Sequence, residues 1–149
     1  GAPSQEYEFY KTFLTNENVK FISNKTYDLL SHSHAALVTS GTATLETALF
    51  KVPEVVCYKG NWASYQIAKR IITLKYISLV NLIMDEEVVT ELIQSECNSK
   101  RIKAELTKIL NSEYRQKLLK KYEILEEKLG GEGASEKVAQ LIVASIARF

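Results

Sequence analysis

Within seven residues, Ser40-Gly41-Thr42-Ala43-Thr44-Leu45-Glu46, the chain brings together a glycine, three hydroxyls and a carboxylate. The run follows the apolar stretch Ala35-Ala36-Leu37-Val38-Thr39 directly, and the two together read as strand, tight turn and helix. A helix that starts at the carboxyl end of a strand aims unpaired backbone N–H groups, and the positive end of its dipole, into the crevice there. Phosphate and diphosphate are the anions that such a seat suits best. Gly41 lets the backbone approach a ligand closely. The hydroxyls of Ser40, Thr42 and Thr44 can cap the helix or donate to phosphate oxygens. Ala43 can add its backbone N–H. Glu46, one turn further on, is no phosphate ligand but can accept hydrogen bonds from a ribose diol, so the run points to a nucleotide. The same residues would also serve a plain capped helix in which Glu46 complements the dipole, because short Gly/Ser/Thr turns recur in α/β proteins.

The elements that must hold this run alternate between strand and helix up to about residue 82. Helix is expected over 8–14 and strand over Val19-Lys20-Phe21-Ile22-Ser23. A second helix opens near Thr26, and the strand at 35–39 and the helix after Gly41 come next. Lys51-Val52-Pro53 ends that helix, because proline disfavours helix at the residue before it. Glu54-Val55-Val56-Cys57-Tyr58-Lys59 reads as strand, 64–72 as helix and Tyr76-Ile77-Ser78-Leu79-Val80 as a further strand. Apolar runs without alternation at 35–38 and 55–57, separated by helix, predict a parallel sheet covered on both faces. Beyond residue 82 the chain reads as helical, with packing stripes at Ile102, Leu106, Ile109 and Leu110 and at Tyr114, Leu118, Tyr122 and Leu125. Asp85-Glu86-Glu87 reads as the acidic first turn of a helix. A last amphipathic helix runs from about Ala134 to Ile146, its apolar residues expected to cover the sheet of this same domain. The fold class is therefore α/β, a parallel sheet flanked by helices with a helical tail.

Length and charge bound the rest. The chain has 149 residues, 19 Lys+Arg against 18 Asp+Glu and a net charge of +1, which fits one domain or part of one and implies no nucleic-acid partner. No apolar run approaches the roughly 20 residues that span a bilayer. Gly1-Ala2-Pro3-Ser4-Gln5-Glu6 has neither the basic region nor the apolar core of a leader. Cys57 and Cys97 form no metal spacing and no disulfide framework, which fits a reducing, cytoplasmic setting. His32 and His34 have no third ligand nearby, so no metal and no cofactor is expected. Trp62 and Tyr65 read as packing residues. The cation pair Lys69-Arg70 fits a solvated helix end or a site for anionic lipid or phosphate.

Several linked runs resemble bacterial lipid-A-disaccharide synthase: Leu37 to Glu46, Val55-Val-Cys-Tyr-Lys59, Tyr65-Gln-Ile-Ala-Lys-Arg70 and Tyr76-Ile-Ser-Leu-Val-Asn-Leu82. Ala2-Pro3-Ser4, Thr26-Tyr27-Asp28-Leu29-Leu30 and Gly133-Ala134-Ser135-Glu136 fit the same family, so the resemblance covers nearly the whole chain in order. It implies a metal-independent glycosyltransferase of the two-Rossmann-domain (GT-B) type. Such an enzyme moves 2,3-diacylglucosamine from its UDP donor to 2,3-diacylglucosamine 1-phosphate in lipid A biosynthesis. Residues 1–149 then look like a truncated carboxyl-terminal, nucleotide-sugar-binding domain, a partial Rossmann-like core over about 1–82 and a helical remainder over 83–149. The domain's first strand, with its glycine-rich loop, and the whole amino-terminal domain would lie outside it. The catalytic base is expected in that amino-terminal domain.

The resemblance implies that Ser40, Gly41, Thr42, Ala43 and Thr44 face the donor diphosphate and that Glu46 binds the ribose. Tyr58, Lys59 and Asn81 would reach the same crevice. The chain departs from the family at Lys59, usually arginine, which keeps the charge but loses the bidentate fork. It departs again at Val80, usually proline, which bears on the geometry before Asn81. Acylated substrates imply a cytoplasmic enzyme working peripherally at the inner-membrane surface. Loss of a mid-sheet strand would expose apolar edges, so self-association of the chain is expected. A nucleotide-sugar-binding module of another GT-B transferase or a UDP-sugar epimerase shares the turn-helix-Glu arrangement, but the runs 65–70 and 76–82 argue against both. A domain without a ligand would show no effect at Glu46 beyond stability.

Overall fold

The computed structural model describes residues 7–61, 75–130 and 133–146. The helices are α1 (Tyr7–Lys11), α2 (Thr26–Ser31), α3 (Thr42–Leu49), α4 (Leu79–Met84), α5 (Ser99–Leu110), α6 (Ser112–Lys128) and α7 (Ala134–Ile146). The strands are β1 (Ala36–Thr39), β2 (Glu54–Tyr58) and β3 (Thr90–Ile93). They form one parallel sheet in the order β1-β2-β3, with Val38 paired to Val56, Thr39 to Cys57, Val56 to Glu91 and Tyr58 to Ile93. Runs rich in valine and isoleucine suit a pleated surface, and burial of the first three residues of β2 marks a central strand covered on both faces. α3 packs on β1 and β2, α5 packs on β2 and β3, and α6 reaches α3 and α4. Val55, Val56, Val80, Leu92, Tyr122 and Leu125 are fully buried at the centre of this core.

The sheet and the helices that pack on it belong to one unit, residues 34–149; residues 1–33 form another. In the first unit the ring of Phe21 lies 5.1 Å from those of both Tyr7 and Tyr10. Residues 19–23, expected as a strand, have no regular structure there.

Three further expectations are corrected. Residues 76–80 form a loop and the start of α4 rather than a strand. The N–H groups of Ile77 and Ser78 bond to the Glu91 carboxylate, and the Ser78 side chain accepts the N–H of Asn81 and so caps the helix. The strand beyond β2 is instead Thr90–Ile93, so the sheet continues past residue 82. Asp85-Glu86-Glu87 does not begin a helix. Asp85 ends α4 in the left-handed region with φ 54, and Glu86 pairs with Lys121 at 2.7 Å. The last helix does not cover the sheet either, because Val138, Leu141, Ile142, Val143 and Ile146 are all more than half exposed. The helix expected over 64–72, with Trp62, Tyr65, Lys69 and Arg70, lies outside the described residues, as does Ala2-Pro3-Ser4. Among the described residues no helix is long and apolar enough to cross a membrane.

Candidate functional site

β1 and β2 run parallel, so their carboxyl ends open on one edge of the sheet. One step past the Thr39–Cys57 pair, the register sets Ser40 alongside Tyr58. Because Tyr58 pairs with Ile93, the end of β3 reaches the same edge. Gly41 is the N-cap of α3, with φ 148 and ψ −164, a region that only glycine enters freely. A Cβ added at Gly41 would meet nothing within 4 Å. The turn thus requires glycine for its dihedral angles and leaves open space in front of it. Thr42 and Ala43 are exposed, and among the described residues no group accepts from their backbone N–H. Those two donors, at the positive end of α3, can meet an external anion.

The three hydroxyls divide between the turn and the crevice. Ser40 Oγ donates to the Ile77 carbonyl at 2.9 Å, and the buried Thr44 hydroxyl donates to the Gly41 carbonyl at 2.8 Å. Both protons are spent on holding the turn. Thr42 is the hydroxyl left to donate outward. Glu46 is half-buried one turn into α3 and has no side-chain partner among the described residues, so its carboxylate is free to accept. Tyr58, at the end of β2, and Lys59, just beyond it, are exposed, and Lys59 adds a cation to the edge.

Asn81 is placed differently from its sequence-based expectation. It is fully buried and its amide is used up inside the protein. Nδ2 donates to the Val89 carbonyl and to Glu91 Oε1, each at 2.8 Å, while Oδ1 accepts the N–H groups of Val88 at 2.8 Å and Val89 at 2.9 Å. No side-chain donor or acceptor of Asn81 remains for a ligand. Val80 lies in the first turn of α4, a place that proline would also fit, because the N–H there has no intrahelical partner.

Two other features of this edge carry no signal in the sequence. Gln94, directly after β3, has a left-handed backbone with φ 52 and a buried Nε2 without a partner among the described residues. Cys57 and Cys97, 40 residues apart in sequence, lie together. Burial, with the neighbouring Cys97 thiol adding to it, pushes the Cys57 thiol up to about 11, so it stays protonated and unreactive at neutral pH. Among the described residues no group of three His, Cys, Asp or Glu side chains could hold a metal ion. His32 Nδ1 is engaged locally, 2.8 Å from the Asp28 carbonyl and 3.0 Å from Ser31 Oγ.

This geometry can be set beside known proteins. The family model described as lipid-A-disaccharide synthetase matches residues 4–144. The lipid-A-disaccharide synthase of Syntrophus aciditrophicus is 41% identical over 129 residues, which is 86% of this chain and 34% of that protein. That of Geobacter sulfurreducens is 36% identical over 132 residues, 88% of this chain and 34% of that protein. That of Nitrosococcus oceani is 38% identical over 129 residues, 86% of this chain and 33% of that protein. The chain spans about a third of the length of the curated relatives it matches.

Proposed function

The chain belongs to the lipid-A-disaccharide synthetase family, and from that premise we propose that its strand-turn-helix seats the donor nucleotide of the parent glycosyltransferase. The observation that carries this reading is Gly41: a glycine-only conformation, open space before it, and an uncapped helix start behind it. The N–H groups of Thr42 and Ala43 and the Thr42 hydroxyl face the diphosphate, on a turn that Ser40, Gly41 and Thr44 shape. Glu46 accepts from the ribose hydroxyls. Tyr58 and Lys59 reach the same ligand from the end of β2, and Asn81 supports the loop behind it.

In the parent reaction a hydroxyl of 2,3-diacylglucosamine 1-phosphate attacks the anomeric carbon of UDP-2,3-diacylglucosamine. The glycosidic bond forms as the bond to the diphosphate breaks, UDP leaves, and the hydroxyl proton passes to a base in the amino-terminal domain. Charge builds up on the leaving diphosphate. Fixed donors at a helix start and a nearby lysine stabilise that charge without having to reorganise. Because both substrates carry acyl chains, the parent enzyme works peripherally at the inner-membrane surface.

Titration calorimetry of the full-length parent with UDP tests the seat. Glu46→Ala is expected to weaken binding by about tenfold or more, as loss of hydrogen bonds to a charged group implies. Equal affinity of wild type and variant would remove Glu46 from the site, and absence of UDP binding by the wild type would sink the nucleotide reading.

By itself the chain is a binding module, because a reaction sited between two domains cannot be assembled from one of them. It is also an associating one. Among the described residues β1 has a strand neighbour on one side only, and Leu37 on it is 50% exposed. An open apolar edge of this kind pairs with another chain. Light scattering is expected to show a mass that rises above one chain with concentration; a strict monomer at high concentration would refute the association.

A further inference from the structure

Glu91 lies on β3, two strands away from the turn, yet it is tied to it. Its carboxylate accepts four hydrogen bonds: from Ile77 N at 2.9 Å, Ser78 N at 3.0 Å, Ser78 Oγ at 2.8 Å and Asn81 Nδ2 at 2.8 Å. Three of the four converge on Oε1 and one on Oε2, and hydrogen bonds to a carboxylate are the stronger, charge-assisted kind. Ile77 is thereby gripped at both ends of its backbone. Its N–H is held by Glu91, and its carbonyl accepts the Ser40 hydroxyl at 2.9 Å. The register explains how the bridge spans the sheet. Glu91 pairs with Val56, and Val56 pairs with Val38, so the three share a face, and Ser40, two residues beyond Val38, continues it. The 77–78 loop crosses that face from β3 to the end of β1.

We propose that Glu91 is a positioning residue for the donor: through the Ile77 peptide and Ser40 it fixes the Gly41 turn in its binding conformation. This rests on reading that turn as the diphosphate seat. Two observations carry it. Ser40 has spent its proton on Ile77, so it serves the ligand by position rather than by donation. At Gly41 the backbone has a conformation that glycine enters freely and other residues do not, so nothing intrinsic fixes the turn and its conformation is set by what holds its flanks. Thr44 holds one flank and the Glu91-Ile77-Ser40 chain holds the other. Without the Glu91 carboxylate, two backbone N–H groups and the Asn81 amide lose their acceptor, the loop shifts, and the Ser40 hydroxyl loses its fixed partner.

A double-mutant cycle on the full-length parent separates positioning from plain structural support. UDP affinity and melting temperature are measured for wild type, Glu91→Gln, Ser40→Ala and the double variant. Each single change is expected to weaken UDP about tenfold, with the double variant little worse than either, because both cut one chain of contacts. If Glu91→Gln does not fold, Ser78→Ala removes one of the four donors and takes its place in the cycle. A Glu91 variant that melts lower but binds UDP like wild type would overturn the proposal, as would effects that multiply in the double variant. Both of those outcomes leave UDP binding by wild type intact. Failure of wild type itself to bind UDP would overturn the nucleotide reading and this proposal with it.

Discussion

Replacing Gly41 with alanine is expected to reduce UDP affinity by about a hundredfold, the equivalent of losing two hydrogen bonds to a charged group. The reason is backbone conformation rather than space. At φ 148 and ψ −164 an alanine is forced out of the conformation, at a cost of about 1–3 kcal/mol if it stays, while its methyl would meet nothing within 4 Å. The turn therefore relaxes, and the Gly41 carbonyl moves away from Thr44 N and Thr44 Oγ1, which it accepts at 3.2 Å and 2.8 Å. The N–H groups of Thr42 and Ala43 then no longer converge on one anion. Calorimetry with UDP and thermal melting of the full-length parent check this together. Melting is expected to drop only modestly, by no more than the strain at one residue. Wild-type affinity in the Gly41→Ala protein would place the diphosphate elsewhere.

The second large effect lies at the opposite end of β2. Glu54 begins that strand fully buried, and among the described residues neither carboxylate oxygen has a hydrogen-bond partner. The Tyr122 hydroxyl is buried beside it, also without a well-formed hydrogen bond. Burial pushes the Glu54 carboxyl from its ordinary value of 4.5 up to about 9, because a lone charge cannot be solvated there. The folded state therefore holds a proton that the unfolded state releases. Stability from this group is fully present below pH 4.5 and is lost as pH rises toward about 9. The slope is about 1.4 kcal/mol per pH unit, so the penalty reaches about 3 kcal/mol at pH 7. Glu54→Met, similar in size and without a charge, is expected to recover that amount and to raise the melting temperature by several degrees. The variant's melting should also be nearly independent of pH across the window in which wild type declines. Thermal melts of the chain from pH 5 to 9, at concentrations low enough to keep it monomeric, decide the matter. A wild type with flat pH dependence would mean that Glu54 is solvated and ionised in the folded state.

Both residues show what could be read in advance. Gly41 stands out in the sequence because a glycine between an apolar strand and a hydroxyl-rich helix start has few other uses. Glu54 does not, since an acidic residue at the start of a strand reads as a solvent-facing end. Asn81 was expected at the crevice from its place after Tyr76-Ile77-Ser78-Leu79-Val80. Its burial behind Glu91 depends on contacts with residues up to ten positions away.

The sequence by itself determined the parallel α/β class, the strand-turn-helix around Gly41 and the strand that follows Pro53. All three follow from local physics: apolar runs, a breaker at Pro53, and a glycine at the one position that requires it. It also determined the family, through several linked runs. Tertiary structure decided the rest. Tyr76 to Val80 has the composition of a strand, but the N–H groups of Ile77 and Ser78 bond to the Glu91 carboxylate instead of a neighbouring strand, and Ser78 caps a helix. Thr90–Ile93 carries a glutamate and a threonine yet becomes β3, because β2 offers it a ladder and Glu91 finds four donors on the sheet face. The division of the three hydroxyls, two holding the turn and one facing out, was likewise fixed by which carbonyl each could reach in the folded chain. Residue type sets what a side chain can donate or accept, but only the fold brings its partner within reach.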